Sequence, residues 1–257
     1  MMSEVPNNLT ISVITVCFNS APTLEKALQS VADQTWRQIE HIVIDGGSKD
    51  GTLDILERFR PRLAQVVSER DKGIYDAMNK GLALASGDVI CFLNADDQYA
   101  SPQVLSDVAR LMGEQALDAL MGDVSFFHPD NPGKTVRRYR SDRFHPNRLA
   151  YGWMPAHPAL FLRRSVVERV GKFKDDYKIA GDFEYIVRAF TGAKLSYRHV
   201  PEVMVKMQTG GVSTAGLRAK IQLNKEVLRA CRENGIRTNM LKILSKYPAK
   251  LLELVMK

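Results

Sequence analysis

Strand-like runs at 11–17, 41–44, 65–68 and 89–93 alternate with segments of helical spacing through the first hundred or so residues. ISVITVC and VICFL are near-continuous apolar runs, too short for helices. They read as strands buried on both faces. Between them, Leu24, Ala27, Leu28 and Val31 recur at helical spacing within 22–33. Asp50-Gly51-Thr52 opens a second helix that Pro61 stops, and 74–85 forms a third that Gly87 ends. Strand–helix alternation of this kind predicts an α/β fold with a mostly parallel, doubly wound, Rossmann-like sheet. Such sheets bind ligands beyond the carboxyl ends of their strands.

Those ends carry the chemistry. The first strand runs into Phe18-Asn19-Ser20, the second ends in Asp45-Gly46-Gly47, and the fourth gives way to Asn94, Asp96 and Asp97. Two adjacent carboxylates repel each other, and a divalent cation shared with a phosphate relieves that repulsion. The alternative is an acidic loop leading into a helix capped by Ser101-Pro102. Asp45 is suited to accept from a nucleobase N–H or a ribose hydroxyl, or to bond its own turn. Asp71, just past the third strand, can cap a helix or bind. No Walker A loop and no G-x-G-x-x-G turn is present, which removes support for kinase and dinucleotide readings.

After Val124 the alternation breaks. Residues 125–155 are mixed, basic and proline-bearing, and read as a lid or acceptor loop. Trp153 suits a sugar ring or the core, and His157 a structural role. Asp182 opens a helix whose apolar face is Phe183, Ile186, Val187 and Phe190, as its N-cap or as a working carboxylate.

The net charge is +7, and residues 218–257 hold ten Lys/Arg against three acids, which is the whole excess. A basic end on a neutral body points to an acidic partner surface. From Thr238, Met240, Leu244, Tyr247, Leu251, Leu254 and Val255 fall on one helical side, with Lys242, Lys246, Lys250 and Lys257 on the other. That pattern suits a helix in a membrane interface, one dispensable for folding, or a helix packed on the body. Leu, Ile and Met, rather than exposed aromatics, separate the cations, which argues against nucleic acid. The three cysteines lack metal-ligand spacing, and Cys17 and Cys91 lie in buried strands. No segment has the look of a signal peptide or a membrane span. The expectation is a cytoplasmic protein, peripheral on the inner face of the membrane.

The ordered set CFN, IDGGSKDGT, ERDKGIYDAMNKG, FLNADD and RRSVVERVGKF…YKIAGDFEYIVR resembles the inverting nucleotide-sugar glycosyltransferases of family 2, of GT-A fold, of the kind that build bacterial surface polysaccharides. The resemblance spans about residues 10–215, which implies a GT-A domain over 1–215 and a basic helical segment over 216–257. It implies transfer from a UDP- or GDP-sugar to a hydroxyl of a glycan or polyprenyl-linked acceptor. Residue by residue, it implies that Asp45 contacts the base and Asp71 the nucleoside. Asp97 would bind Mg²⁺ or Mn²⁺, with Asp96 shared between metal and ribose, and Asp182 would be the general base. Asn94 stands where the family often has an acid, and Phe18 where a tyrosine is common. A nucleotidyltransferase is the first alternative, but CFNSAPT lacks a Gly/Arg/Lys-rich phosphate loop. A non-catalytic carbohydrate binder is the second.

Overall fold

A computed structural model describes residues 9–210 and 216–247. Its first half follows the alternation: β1 (Ile11–Cys17), α1 (Leu24–Ala32), β2 (Ile39–Asp45), α2 (Thr52–Phe59), β3 (Gln65–Ser68), α3 (Ile74–Leu84) and β4 (Val89–Phe92). Then come β5 (Asp97–Tyr99), α4 (Val104–Glu114), β6 (Ala119–His128), β7 (Asn131–Tyr139), β8 (Leu160–Arg163), α5 (Arg164–Val170), α6 (Gly181–Thr191), β9 (Tyr197–Gln208), α7 (Leu217–Glu233) and α8 (Met240–Leu244).

One nine-stranded sheet runs in the order β3-β2-β1-β4-β8-β6-β9-β5, with β7 hung on β6. β1 pairs parallel with β2 and β4, β2 with β3, and β6 with β9. β8 lies antiparallel between β4 and β6, so β6 and β9 point the same way as the first four strands. The sheet is therefore mostly parallel, with β5, β7 and β8 reversed.

The pleat explains the strand sequences. Ile14, Val16, Ile42, Ile44, Ile90 and Phe92 enter one core, shared with α3, α5, α6 and α7. Ile11, Val13, Val89, Cys91 and Leu93 face the other side, against α4. Val43 joins α1 and α2 there. Both faces are covered, so the period-2 alternation of a half-solvated strand is absent.

Three sequence expectations are corrected. Ser101-Pro102 lies in a turn, and α4 begins at Val104 with Gln103 as N-cap. Asp97 is not on a loop but opens β5, opposite Met207. Residues 125–139 are not irregular: β6 and β7 form a hairpin. β7 is an edge strand, exposed along nearly its whole length, so no burial pattern marks it. An edge also tolerates Pro132, which has no N–H for a ladder.

α7 and α8 are built into the same core as the sheet. Val227, Ala230 and Cys231 of α7 and Ile243 of α8 are buried with Phe183, Ile186 and Leu149. Lys246 is buried too, and Asn224 Nδ2 donates to the Tyr247 hydroxyl at 2.9 Å. The start of the tail is thus seated on the domain. Residues 248–257, which hold Leu251, Leu254, Val255, Lys250 and Lys257, lie outside the described residues. No helix among the described residues is long and apolar enough to cross a membrane.

Candidate active site

A cleft of about 1050 Å³ opens beyond the carboxyl ends of β1 and β4. Phe18, Asp71, Asp96, Arg137, Lys178 and Asp182 line it, from five separate segments. The parallel strands and the β6–β7 hairpin bring these residues together from across the sequence.

Asp71 hydrogen-bonds the loop before α3, its Oδ1 accepting from Gly73 N at 2.9 Å. Its Oδ2 lies against Gly46, where a Cβ would collide with it. Gly46 is therefore what lets this carboxylate approach the end of β2. Beside both stands Phe18, a large aromatic left 61% exposed at the cleft.

Asp45 does not reach the cleft. It is fully buried, and its oxygens accept from Gly47 N, Ser48 N, Ser48 Oγ and, at 2.7 Å, Ser68 Oγ. That carboxylate ties the turn after β2 to β3, the self-bonded turn arrangement weighed in the sequence.

The acid pair divides between surface and interior. Asp96 lines the cleft half-buried, and burial lifts its carboxyl above the usual range. Asp97 is fully buried, raised well above that range by burial and then by the Asp96 charge. Its Oδ2 accepts from Asn94 Nδ2 at 3.3 Å. Its Oδ1 and Asn94 Oδ1 are buried without a partner. Buried acceptors are nearly always satisfied, so two orphan oxygens together point to a donor or cation. Among the described residues no three His, Cys, Asp or Glu gather to hold a metal. Two carboxylates with phosphate oxygens completing the shell suit Mg²⁺ or Mn²⁺. The residues fit such an ion.

Asp182 is in the first turn of α6, whose N-cap is Ala180, so it is not the cap. Burial pushes its carboxyl up to about 6, against the Phe183 N–H, which donates to Oδ1 at 2.7 Å; the Glu226 charge adds to the rise. His157 also lines the cleft, stacked on Phe92 with centroids 5.4 Å apart. Burial lowers its pKa to about 4, leaving it neutral at pH 7. Trp153 is not part of the cleft lining.

Tyr75 and Glu226 received no role from the sequence. Tyr75 Oη donates to Ile179 O and accepts from Gly181 N, each at 2.8 Å, across the entrance to α6. Glu226 was obscured by the cations around it. The available signal was its helical spacing with Ala230, an acid on the buried side of a mostly basic helix.

Solved structures share the fold. A TarS fragment from S. aureus in complex with UDP-GlcNAc superposes with a TM-score of 0.69 at 20% identity, over 86% of this chain and 66% of that one. Against a longer TarS chain this chain spans only 39% of its length. The mannosyltransferase PcManGT from Pyrobaculum calidifontis, in complex with GDP-Man and Mn²⁺, gives 0.63 at 21% identity, over 89% and 65%. Sequence likeness is stronger. A PGL/p-HBAD biosynthesis glycosyltransferase of Mycobacterium bovis is 32% identical over 207 residues, 79% of this chain and 78% of that protein. An uncharacterized glycosyltransferase of Mycobacterium tuberculosis is 38% identical over 183 residues, 70% and 68% of the two chains. The profile of Glycosyl transferase family 2 matches residues 12–171, more than half of the chain, which therefore belongs to that family.

Proposed function

We propose that this glycosyltransferase moves a sugar from a nucleoside-diphosphate sugar to an acceptor hydroxyl with inversion, using Asp182 as general base. The observation carrying this reading is that Asp71, Asp96 and Asp182 line one cleft from opposite ends of the chain. The nucleoside lies between Phe18 and Asp71, the one by stacking and the other by accepting hydrogen bonds. Asp45 contributes to nucleotide binding indirectly, by fixing the turn that carries Gly46. Asp96 and Asp97 hold Mg²⁺ or Mn²⁺, and Asp96 also reaches the ribose. When bound, the ion neutralises the diphosphate. Arg137 and Lys178 bring positive charge to the same cleft.

In the transfer step the acceptor oxygen attacks the anomeric carbon from the face opposite the leaving group. Its proton goes to Asp182, and the nucleoside diphosphate departs with the electron pair of the broken C–O bond. A carboxyl near 6 suits this task, because it is ionised at neutral pH yet more basic than an ordinary aspartate. No covalent intermediate is required.

The acceptor class is a glycan or a polyprenyl-linked acceptor, in line with a relative named for PGL/p-HBAD biosynthesis. The basic segment 216–257 contacts an anionic membrane from the cytoplasmic side, and the protein acts there without nucleic acid. A panel of UDP- and GDP-sugars with Mn²⁺, read as nucleotide release with the anomer of the first-formed sugar followed by NMR, tests the reading. Release from one donor class with inverted product is expected. Nucleotide-sugar synthesis from a sugar phosphate, or no turnover with any donor, would overturn it.

A further inference from the structure

The loop 172–180, which leads into α6, is clamped by α7. Glu226 of α7 is only 4% exposed. Its carboxylate accepts from three consecutive backbone N–H groups, Lys178 at 3.0 Å, Ile179 at 2.9 Å and Ala180 at 2.7 Å. Gln222 Nε2, one turn earlier on α7, donates to it at 2.7 Å. Around this centre are looser ties. Glu233 accepts from Lys174 at 2.9 Å and from the Tyr177 hydroxyl at 3.0 Å. Arg229 pairs with Asp176 and lies over the Tyr177 ring at 4.4 Å. Those pairs are largely exposed and contribute little singly. Glu226 differs: a buried carboxylate holding three amides makes charge-assisted bonds, and its loss would leave the buried Ala180 N–H and two part-buried neighbours without this partner.

Two residues after the last of those amides stands Asp182. From the other side, Tyr75 Oη bonds both Ile179 O and Gly181 N. The peptide entering α6 is thus fixed by one acid from α7 and one hydroxyl from α3. We propose that Glu226 is a positioning residue for the reaction, holding 178–181 so that Asp182 and Lys178 face the cleft, which makes α7 part of the catalytic apparatus. This rests on the reading of Asp182 as base. Glu226 touches neither donor nor acceptor and acts through the loop. Its negative charge also favours the protonated form of Asp182, which strengthens it as a base. The ionisable groups around Asp182 are Glu226 on α7, the Tyr75 phenol on α3 and, along the cleft, Lys178, Asp71, Asp96, Arg137 and neutral His157.

The test uses the full chain with Glu226→Gln, Tyr75→Phe and Asp182→Asn. Three quantities are read: UDP and GDP affinity with Mn²⁺, nucleotide release from the preferred donor across pH, and amide hydrogen exchange of the 172–185 peptides. For Glu226→Gln the expected result is nucleotide affinity within about 2-fold, release slowed by about 10-fold or more, and faster exchange confined to 172–185. The acid limb of its release profile should move to lower pH, because a neighbouring negative charge is gone. Tyr75→Phe should slow release and loosen the same peptides, and it serves as the deciding variant if Glu226→Gln does not fold. Normal release and an unmoved pH limb in the variant, with Asp182→Asn inactive, would overturn the positioning role alone. Normal release in Asp182→Asn would instead overturn the base reading, and this proposal with it.

Discussion

Asp182 and Asp97 are both carboxylates that burial keeps from ordinary acidity, and they answer differently to substitution. Asp182 sits in an open cleft with its carboxyl near 6. As a base it must be ionised, so turnover should be on a plateau above about pH 7 and fall roughly tenfold per unit below pH 6. A profile of nucleotide release between pH 4.5 and 8 checks this, and a limb near 4 would contradict it. Asp97 has an orphan oxygen in the interior. Asp97→Asn removes a buried charge without changing shape, so the metal-free protein should be stabilised. About 1 kcal/mol of gain corresponds to about 2–4 °C in Tm for a chain of this size. The same substitution should abolish the dependence of nucleotide binding on Mg²⁺ or Mn²⁺, read by calorimetry. An Asp97→Asn protein that melts lower and binds metal–nucleotide normally would show that the carboxylate is structural.

Among the elements, those that were legible were those whose burial leaves a period. β1 to β4 and α1 to α3 fall within two residues of their expected bounds, because each must present apolar residues to a covered sheet. β7 was not legible, since an exposed edge strand obeys no burial pattern and its basic residues and proline imitate a loop. The candidate site divides in the same way. Asp71, Asp96, Asp97 and Asp182 stand out as acids at element ends. Asp45 bonds its own turn through Gly47 and Ser48, one of the two readings its sequence offered, and only the Ser68 bond, from a different strand, lies beyond any local pattern. Tyr75 and Glu226 act on a loop about a hundred and about fifty residues away. One glycine tests how tightly α3 and α6 are fitted. A Cβ on Gly181 would stand 2.6–2.9 Å from three carbons of the Tyr75 ring. Gly181→Ala should therefore cost about 1–3 kcal/mol in chemical denaturation and reduce turnover more than nucleotide affinity. An alanine variant with unchanged stability and turnover would mean that the α3–α6 contact yields freely.

For the molecule as a whole, the charge asymmetry and the fold meet in the C-terminal segment. α7 and the start of the tail are seated in the core, while the cations of 218–257 account for the entire net charge. Removal of 248–257 should leave the protein folded and nucleotide binding intact but weaken co-sedimentation with anionic vesicles, an interaction that salt should also weaken. Removal from Thr238 onward should lower stability as well, because it takes away the fully buried Ile243 and the Tyr247 bond to Asn224. Burial of that size is worth about 2–5 kcal/mol. Vesicle binding that survives the shorter deletion would place the membrane contact elsewhere. The reaction turns on a half-buried aspartate at the start of α6 that takes the acceptor's proton in a nucleotide-sugar cleft. The most direct test of that role is nucleotide release by Asp182→Asn at saturating donor and neutral pH. A loss of about 10²-fold or more is expected, with nucleotide affinity kept within a few-fold; turnover close to that of the unmodified protein would rule out Asp182 as the base.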